Sequence, residues 1–397
     1  MTAISNQHEL YVSPGGATYR LLQHLNAGRR GKGTPFQRIL SLLAITWVPM
    51  CGFAILEGHA LGATPRDSFL LDFATYARFF IGIPILVIAE EFIGTRLRSA
   101  GLRFVEDGLV RQEDFPAFER AVGNLARRRD SLVAIAGIIG LAAFGAWRLT
   151  LQTAMGYGAV GWASMTYEDG SGVHHSLAAL WNRVVAVPVM LFMLYRWLWR
   201  ILIWTRFLLD VARLNLRLVP THADRCAGLG FLAFAHLSFG MLGFGMGCVL
   251  SAEAAFRIVF EGARVDTFKL PLILLLVATQ ILFVGPLLVF TPSLARAKRR
   301  GLDRYGSLVI EYNRAFDEKW VQPSAGHVDE SILGSSDIQS LADMGNSFRF
   351  IDEMRPTAFD RTTVFQLAVL SALPGLPLFL LVVPPRQIFE VLSKLVL

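Results

Sequence analysis

Residues 177–199 read LAALWNRVVAVPVMLFMLYRWLW, and this apolar run decides the class of the fold. At a rise of about 1.5 Å per residue, a helix of this length crosses the roughly 30 Å hydrocarbon core of a bilayer. Six further runs have the same character. They lie at 36–56, 69–95, 132–155, 227–252, 270–293 and 363–383. The sequence therefore predicts an all-α polytopic transmembrane bundle with about seven spans.

The composition and the distribution of charge support this prediction. Hydrophobic residues make up 53% of the chain and charged residues 17%, which excludes an ordinary soluble domain. Of the 38 Lys and Arg residues, 29 lie in the alternate connections and only 6 on the opposite side. The positive-inside rule places the N-terminus and those connections, 1–38, 96–130, 196–226 and 295–362, in the cytoplasm. Because these residues adjoin the spans, we expect anionic inner-leaflet lipid as a partner and no nucleic acid.

The runs divide the chain into six parts. They are a flexible cytoplasmic tail at 1–35, spans one and two at 36–98, a cytoplasmic amphipathic helix within 99–130, spans three to six at 131–293, a cytoplasmic helical extension at 294–362, and a kinked last span with an interfacial helix at 363–397. The last run contains Leu373-Pro374-Gly375-Leu376-Pro377 and could instead form a re-entrant hairpin that turns at these prolines.

The helical extension carries an apolar stripe at helical spacing, formed by Leu302, Tyr305, Val309, Tyr312 and Phe316. Such a stripe needs a partner. The candidates are the 112–129 helix, the 337–351 segment and a second subunit. A stripe with no partner in its own subunit favours a homo-oligomer, as does the ring of subunits that is common in channels, the function predicted below.

Two segments carry a resemblance to a known family. Residues 220–231 read PTHADRCAGLGF, and residues 336–348 read SDIQSLADMGNSF, ahead of Met354-Arg355-Pro356. Both resemble segments of an uncharacterised family of bacterial multi-pass inner-membrane proteins, and the similarity runs over most of the chain. The resemblance implies a bacterial inner membrane. It implies no activity.

Three arginines lie inside the predicted spans, at Arg78, Arg148 and Arg183. A charge within a span requires a partner or a wet cavity. By residue count, all three lie roughly 10–15 Å below the outer surface. One hypothesis is a positive outer vestibule that concentrates anions. The alternative is structural, with each guanidinium paired to Asp72, Glu57 or backbone carbonyls.

Span five presents a second candidate. His236, Gly240, Gly243 and Gly247 follow one another at spacings of three or four residues and share one face of the helix. A face of small residues favours close helix packing. It could alternatively line a permeation path, with Gln280 of span six at a comparable depth.

A third candidate precedes span five. His222, Asp224 and Cys226 are donor types that could hold a metal or a phosphate at the inner face. Their alternate spacing suits a metal poorly, and Asp224 could instead cap the start of the span. Glu90-Glu91 near the inner end of span two could form a cation site or pair with Arg96 or Arg98.

The sequence contains no Walker A, HExxH, CxxC or GxSxG motif, which argues against a pump or a protease. We predict a membrane protein that conducts or transports a small ion, with a preference for anions and no cofactor. The alternatives are a non-conducting scaffold or signalling protein that recruits a cytoplasmic partner, and a lipid-modifying enzyme that uses His222 and Asp224.

Overall fold

The apolar runs form helices because a helix pairs its own backbone N–H and C=O groups in hydrogen bonds. An apolar environment offers these groups no other hydrogen-bond partners. The structure, a computed structural model, describes residues 34–154, 162, 164–166, 173–322, 331, 332 and 334–380. These residues form α1 Pro35–Leu56, α2 Phe73–Tyr76, α3 Ile83–Glu106, α4 Phe115–Arg129, α5 Leu132–Ala154, α6 Leu177–Trp181, α7 Val187–Ala212, α8 Phe231–Leu237, α9 Gly240–Glu261, α10 Lys269–Phe283, α11 Thr291–Phe316, α12 Ser336–Asp352, α13 Arg361–Ala372 and α14 Leu376–Leu380. Two short strands, β1 Ser164–Thr166 and β2 Val173–His175, pair antiparallel.

Two helix junctions are π turns, and each leads into a proline. Residues Ala77–Gly82 join α2 to α3, which carries Pro84, and residues Asn182–Ala186 join α6 to α7, which carries Pro188. Proline has no N–H to donate to the carbonyl four residues earlier. In each case a wider turn precedes the proline. The residue just before the proline, Ile83 or Val187, donates its N–H to the carbonyl five residues earlier, that of Arg78 or Asn182.

Five helices in the described part of the chain are long and apolar enough to cross a membrane. They are Pro35–Leu56, Leu132–Leu149, Leu177–Ala212, Phe231–Glu261 and Val265–Val321. The predicted count of seven is not confirmed, since the runs at 69–95 and 363–383 are not among them. The run at 69–95 divides into a 3₁₀ turn, α2, a π turn and α3. The run at 363–383 is interrupted by a 3₁₀ turn at Leu373–Gly375.

The last run follows α9 without reversing at its prolines. Gly240 lies against Leu370, and Gly247 lies against the Ser371 carbonyl and Pro374. Further along, Ala254 packs in one cluster with Leu378. Helix α9 and the last apolar run therefore lie side by side and point in the same direction as far as Leu378. A hairpin that turns at Pro374–Pro377 would not give this order of contacts.

The helix predicted within 112–129 is present as α4 and is amphipathic. It buries Phe118, Val122 and Leu125, and the rings of Phe118 and Phe207 lie 6.0 Å apart in an edge-to-face contact. Its partner is α7, whose continuous helix extends to Ala212. The apolar face of α4 therefore packs on protein.

The apolar stripe of the helical extension has a partner within the chain. Helix α11 packs against α12, and Tyr312 Oη donates to the Asp337 carbonyl over 3.0 Å. Lys319 Nζ and Trp320 Nε1 donate to Asp337 Oδ2 over 2.8 and 3.0 Å. Of the three candidate partners, the structure selects the 337–351 segment. The homo-oligomer stays a prediction, but an unpaired stripe no longer supports it.

Candidate functional site

A buried carboxylate, Glu90 in α3, binds three arginines from two other helices. Arg38 Nη2 of α1 donates to Glu90 Oε2. Arg196 Nη1 and Arg200 Nη1 of α7 lie 2.7 and 3.2 Å from Glu90 Oε1. None of the four side chains is more than 10% exposed. We call these four residues the Glu90 cluster.

The local structure of each helix positions this cluster. Arg38 lies in the first turn of α1, which begins with a capping box between Thr34 and Gln37. Arg196 and Arg200 are one turn apart on α7 and therefore share a face. The Arg200 guanidinium also lies 5.1 Å from the centre of the Trp197 ring.

The partners of Glu90 are Arg38, Arg196 and Arg200, not the cation, Arg96 or Arg98 that the sequence suggested for Glu90-Glu91. Arg96 instead lies over the rings of Phe92 and Phe234, at 5.6 and 5.0 Å. Charges buried among spanning helices stabilise a fold only when they are paired and hydrogen-bonded. The partners of Glu90 come from distant parts of the chain, which the spacing of residues near Glu90 does not reveal.

A cavity of about 380 Å³ lies between α3, α7, α9 and α10, beginning one helical turn from Glu90. Leu86, Met190, Leu242, Met246 and Leu275 contribute to its apolar lining. At the end near the Glu90 cluster, Trp197 Nε1 donates to the Leu86 carbonyl over 3.0 Å and ties α7 to α3.

A charged pair lies at the other end of the cavity. Arg78 Nη2, in the π turn before α3, lies 3.7 Å from Glu253 Oε2 of α9. Arg257 Nη2 is 2.8 Å from Glu253 Oε1. The Arg78 and Glu253 side chains are 29% and 33% exposed, so this end is accessible. Two guanidinium groups therefore share one carboxylate here.

The three arginines of the predicted vestibule do not meet at this cavity. Arg148 is exposed on α5, and Arg183 is half-buried in the π turn before α7. Neither is among the described residues that line the cavity with Arg78.

The carboxylates suggested as partners of these arginines have other roles. Asp72 accepts from the Thr75 N–H and hydroxyl and from Trp162 Nε1, and Glu57 Oε1 accepts from the Leu177 N–H over 2.7 Å. Both therefore hold the starts of helices.

The small-residue face of α9 is a packing surface. A Cβ added at Gly240, Gly243 or Gly247 would come within 2.5 Å of Leu370 Cδ1, Ser371 Oγ or the Ser371 carbonyl oxygen. Helix α13 therefore fills the space beside these glycines. This contact agrees with the packing hypothesis and leaves no room for the alternative, a permeation path along this face.

His236 and Gln280 lie near the same contact. His236 is fully buried, its Nε2 accepts from Trp204 Nε1 over 2.9 Å, and its Nδ1 lies 2.6 Å from the Phe283 carbonyl. It is a hydrogen-bonded core histidine. The buried amide atoms of Gln280 have no hydrogen-bond partner in the described part of the chain.

The loop before α8 is organised around Asp224. Asp224 Oδ1 accepts from the N–H groups of Cys226 and Gly228 over 2.7 and 3.2 Å, and Oδ2 accepts from Gly230 over 2.8 Å. Burial by itself raises the pKa of Asp224, but these donors and His222 outweigh it and hold the pKa below its usual value. Asp224 therefore holds the loop ahead of α8. It does not form the predicted helix cap, since the N-cap residue is Gly230 and has no side-chain cap.

The Met354-Arg355-Pro356 turn, which follows the second segment of the family resemblance, lies against the first segment. Arg355 Nη2 donates to the Asp224 carbonyl over 3.0 Å and lies 3.1 Å from Cys226 Sγ, while Arg355 Nη1 is 3.1 Å from Asp360 Oδ2. Because Cys226 Sγ faces Arg355, it does not converge with Asp224 on a common point. In the described residues, no group of three or more His, Cys, Asp or Glu side chains could hold a metal ion. The metal hypothesis for His222, Asp224 and Cys226 therefore has no support.

The sequence singled out Glu90 but not its partners Arg38, Arg196 and Arg200, and it missed Glu253. The available signal was the cost of placing Glu90 and Glu253 in otherwise apolar runs. Comparison of the chain with protein-family models, with curated proteins and with solved structures finds no match in any of the three, and the resemblance to a bacterial membrane family stays a prediction.

Proposed function

We propose that this protein conducts or transports a small ion across the bacterial inner membrane, with a preference for anions. The observation that carries the proposal is the cavity between α3, α7, α9 and α10, which has the Arg78–Glu253 pair at one end and begins one turn from the Glu90 cluster at the other. This path lies on the opposite side of α9 from the glycine face that the sequence suggested.

The charges at the two ends favour anions. In the described residues, the Glu90 cluster holds three guanidinium groups and one carboxylate, and the other end holds Arg78 and Arg257 against Glu253. An excess of fixed positive charge lowers the energy of an anion and raises that of a cation.

The apolar section between the ends acts as the gate. A narrow hydrophobic segment excludes water and therefore ions until it widens. Leu86 and Trp197 close this section toward the Glu90 cluster, joined by the hydrogen bond from Trp197 Nε1. Movement of α7 away from α3 would break this bond and open the cavity.

The test is ion flux through the purified protein in liposomes, with reversal potentials measured in planar bilayers. Neutralising Arg78 removes one charge at about 10 Å from a passing ion, which is worth about 1.7 kcal/mol at an effective dielectric constant of about 20. Because the anion loses this stabilisation and the cation loses an equal penalty, Arg78→Gln should lower the anion-to-cation permeability ratio by about a hundredfold or more. Arg148→Gln is the matched control, because Arg148 is exposed on α5.

The outcomes separate the hypotheses. Equal selectivity in wild type, Arg78→Gln and Arg148→Gln would refute the path proposed here. Absence of flux in the wild type over a range of voltage and pH would favour the scaffold function instead. That alternative has one observation in its favour, the exposed Leu308 and Ile310 on α11, which a cytoplasmic partner could cover.

The proposed sidedness, with a cytoplasmic N-terminus, has its own test. A cysteine at position 313, in α11, should be protected from membrane-impermeant reagents in intact cells, while a cysteine at position 170 should react. The opposite pattern would reverse the orientation of the path.

A further inference from the structure

A second cavity, of about 600 Å³, lies apart from the proposed path at the predicted cytoplasmic end of α3. Its walls are the last turn of α3, the turn that follows it, and the segment that leads from α7 into α8. Half of its lining is apolar, through residues such as Leu109 and Phe231, and the other half is polar and charged. A cavity of this size and mixed character suits a small organic ligand with a charged group.

Two arginines from different elements face this cavity. Arg103 lies in the last turn of α3, and Arg217 follows α7. Neither forms an ion pair with any residue that the structure describes, and the Arg103 guanidinium lies 5.7 Å from the centre of the Phe231 ring. Arg217 is held in place because its N–H donates to the Leu109 carbonyl over 2.7 Å.

The lining also contains two carboxylates, Asp107 and Asp224, but neither lies within ion-pair distance of Arg103 or Arg217 in the described residues. Asp224 is already committed to three backbone N–H groups. Asp107, like Arg103 and Arg217, is exposed, so the arginines are free to contact a ligand that enters the cavity. His222 Nδ1 accepts from the Asp224 N–H over 3.2 Å, which leaves Nε2 as the ring atom available to a ligand.

The wall that carries Asp224 is held rigidly. Arg225 and Ala227 adopt left-handed backbone conformations with φ of 55° and 54°. Asp224 and Arg355 stabilise these conformations, since the Arg355 N–H donates to the Arg225 carbonyl over 2.8 Å. A rigid wall loses little entropy when a ligand binds.

We propose that this cavity binds a phosphate ester, with Arg103, Arg217 and His222 as the groups that contact the phosphate. Guanidinium groups form paired, charge-assisted hydrogen bonds with phosphate oxygens. The apolar half of the lining receives the organic part of the ligand. Two sources share this chemistry, the headgroup of an anionic inner-leaflet phospholipid and a soluble phosphate ester. The proposal does not depend on ion conduction.

The experiment measures ligand-induced thermal stabilisation of the full-length protein in two settings. In uncharged detergent micelles, the probe is sn-glycerol 3-phosphate, compared with sodium chloride at equal ionic strength. In nanodiscs, phosphatidylcholine alone is compared with phosphatidylcholine containing phosphatidylglycerol. Stabilisation in micelles identifies the soluble source, and stabilisation by phosphatidylglycerol without it identifies the lipid.

Arg103→Gln and Arg217→Gln should each weaken binding of the effective probe by about tenfold or more, since each removes a charge-assisted hydrogen bond. Arg213→Gln is the matched control, because Arg213 is exposed, lies outside the cavity and has Asp210 at 4.0 Å. Thermal unfolding without ligand verifies that the variants fold, and His222→Gln supplies a third substitution if one of them does not. Equal binding by the cavity variants and Arg213→Gln, or no stabilisation by either probe, would overturn the proposal.

Discussion

Replacing Glu90 with glutamine tests the central electrostatic argument. The amide keeps the shape of the side chain but removes the carboxylate that Arg38, Arg196 and Arg200 share in a buried site. Breaking a buried ion pair by removing one partner costs about 3–5 kcal/mol, because an uncompensated charge is left behind. Total stabilities of about 5–15 kcal/mol make such a loss easy to measure.

The measurement is unfolding of the purified protein by sodium dodecyl sulfate in mixed micelles, followed by the fluorescence of its 8 tryptophans. Glu91→Gln is the matched control, since Glu91 is the adjacent residue and is exposed. Its free energy of unfolding should stay within about 0.5 kcal/mol of wild type.

A double variant sharpens the test. If repulsion among the arginines dominates once the carboxylate is gone, Glu90→Gln with Arg196→Gln should be more stable than Glu90→Gln alone. Our reasoning fails if Glu90→Gln unfolds like Glu91→Gln. It also fails if the double variant loses the sum of the two single effects.

Three further predictions concern other parts of the fold. Gly247→Val should destabilise the protein by several kcal/mol, because its side chain would meet the Ser371 carbonyl, whereas Gly137→Val, with open space around it, should not; unfolding curves of the two variants decide this. Asp224→Asn should lower the free energy of unfolding by about 1–3 kcal/mol above pH 5. Since the pKa of Asp224 is lowered in the folded protein, the difference in stability from wild type should shrink as the pH falls below about 4. A constant difference in a melting series from pH 3 to 8 would contradict this. Val309→Glu should expose the contact between α11 and α12 to limited proteolysis without changing the mass of the solubilised particle, and a smaller particle would instead show that this stripe joins subunits.

The helices could be predicted from the sequence because each depends on a local run of apolar residues. The helical extension that continues to Val321 and the amphipathic α4 both follow from such runs. The packing of Gly240, Gly243 and Gly247 followed from their spacing on one face. These features require knowledge of only one segment at a time.

The charged site could not be predicted in the same way, because its pairs join helices that are distant in the chain. Arg196 and Arg200 look like part of a basic belt at the membrane surface, and only the packing of α7 on α3 brings them to Glu90. Arg78 was recognised as costly, but its partner Glu253 depends on how α9 lies against the π turn. The packing of distant helices determines these ion pairs, and the spacing of residues within one segment does not predict them.

The π turns before α3 and α7 change the angular phase of the helices that contain them. An α-helix advances by about 100° per residue, and a π turn contains one residue more than an α turn. The segment beyond each π turn is therefore rotated by about 100° from the direction that a continuous α-helix would give it. Closing the turn at Ala77–Gly82 by one residue would swing Arg78 away from Glu253 while the Glu90 end of α3 stayed anchored. This helical segment thus combines a part anchored at Glu90 with a part near Arg78 whose orientation depends on a single residue of register.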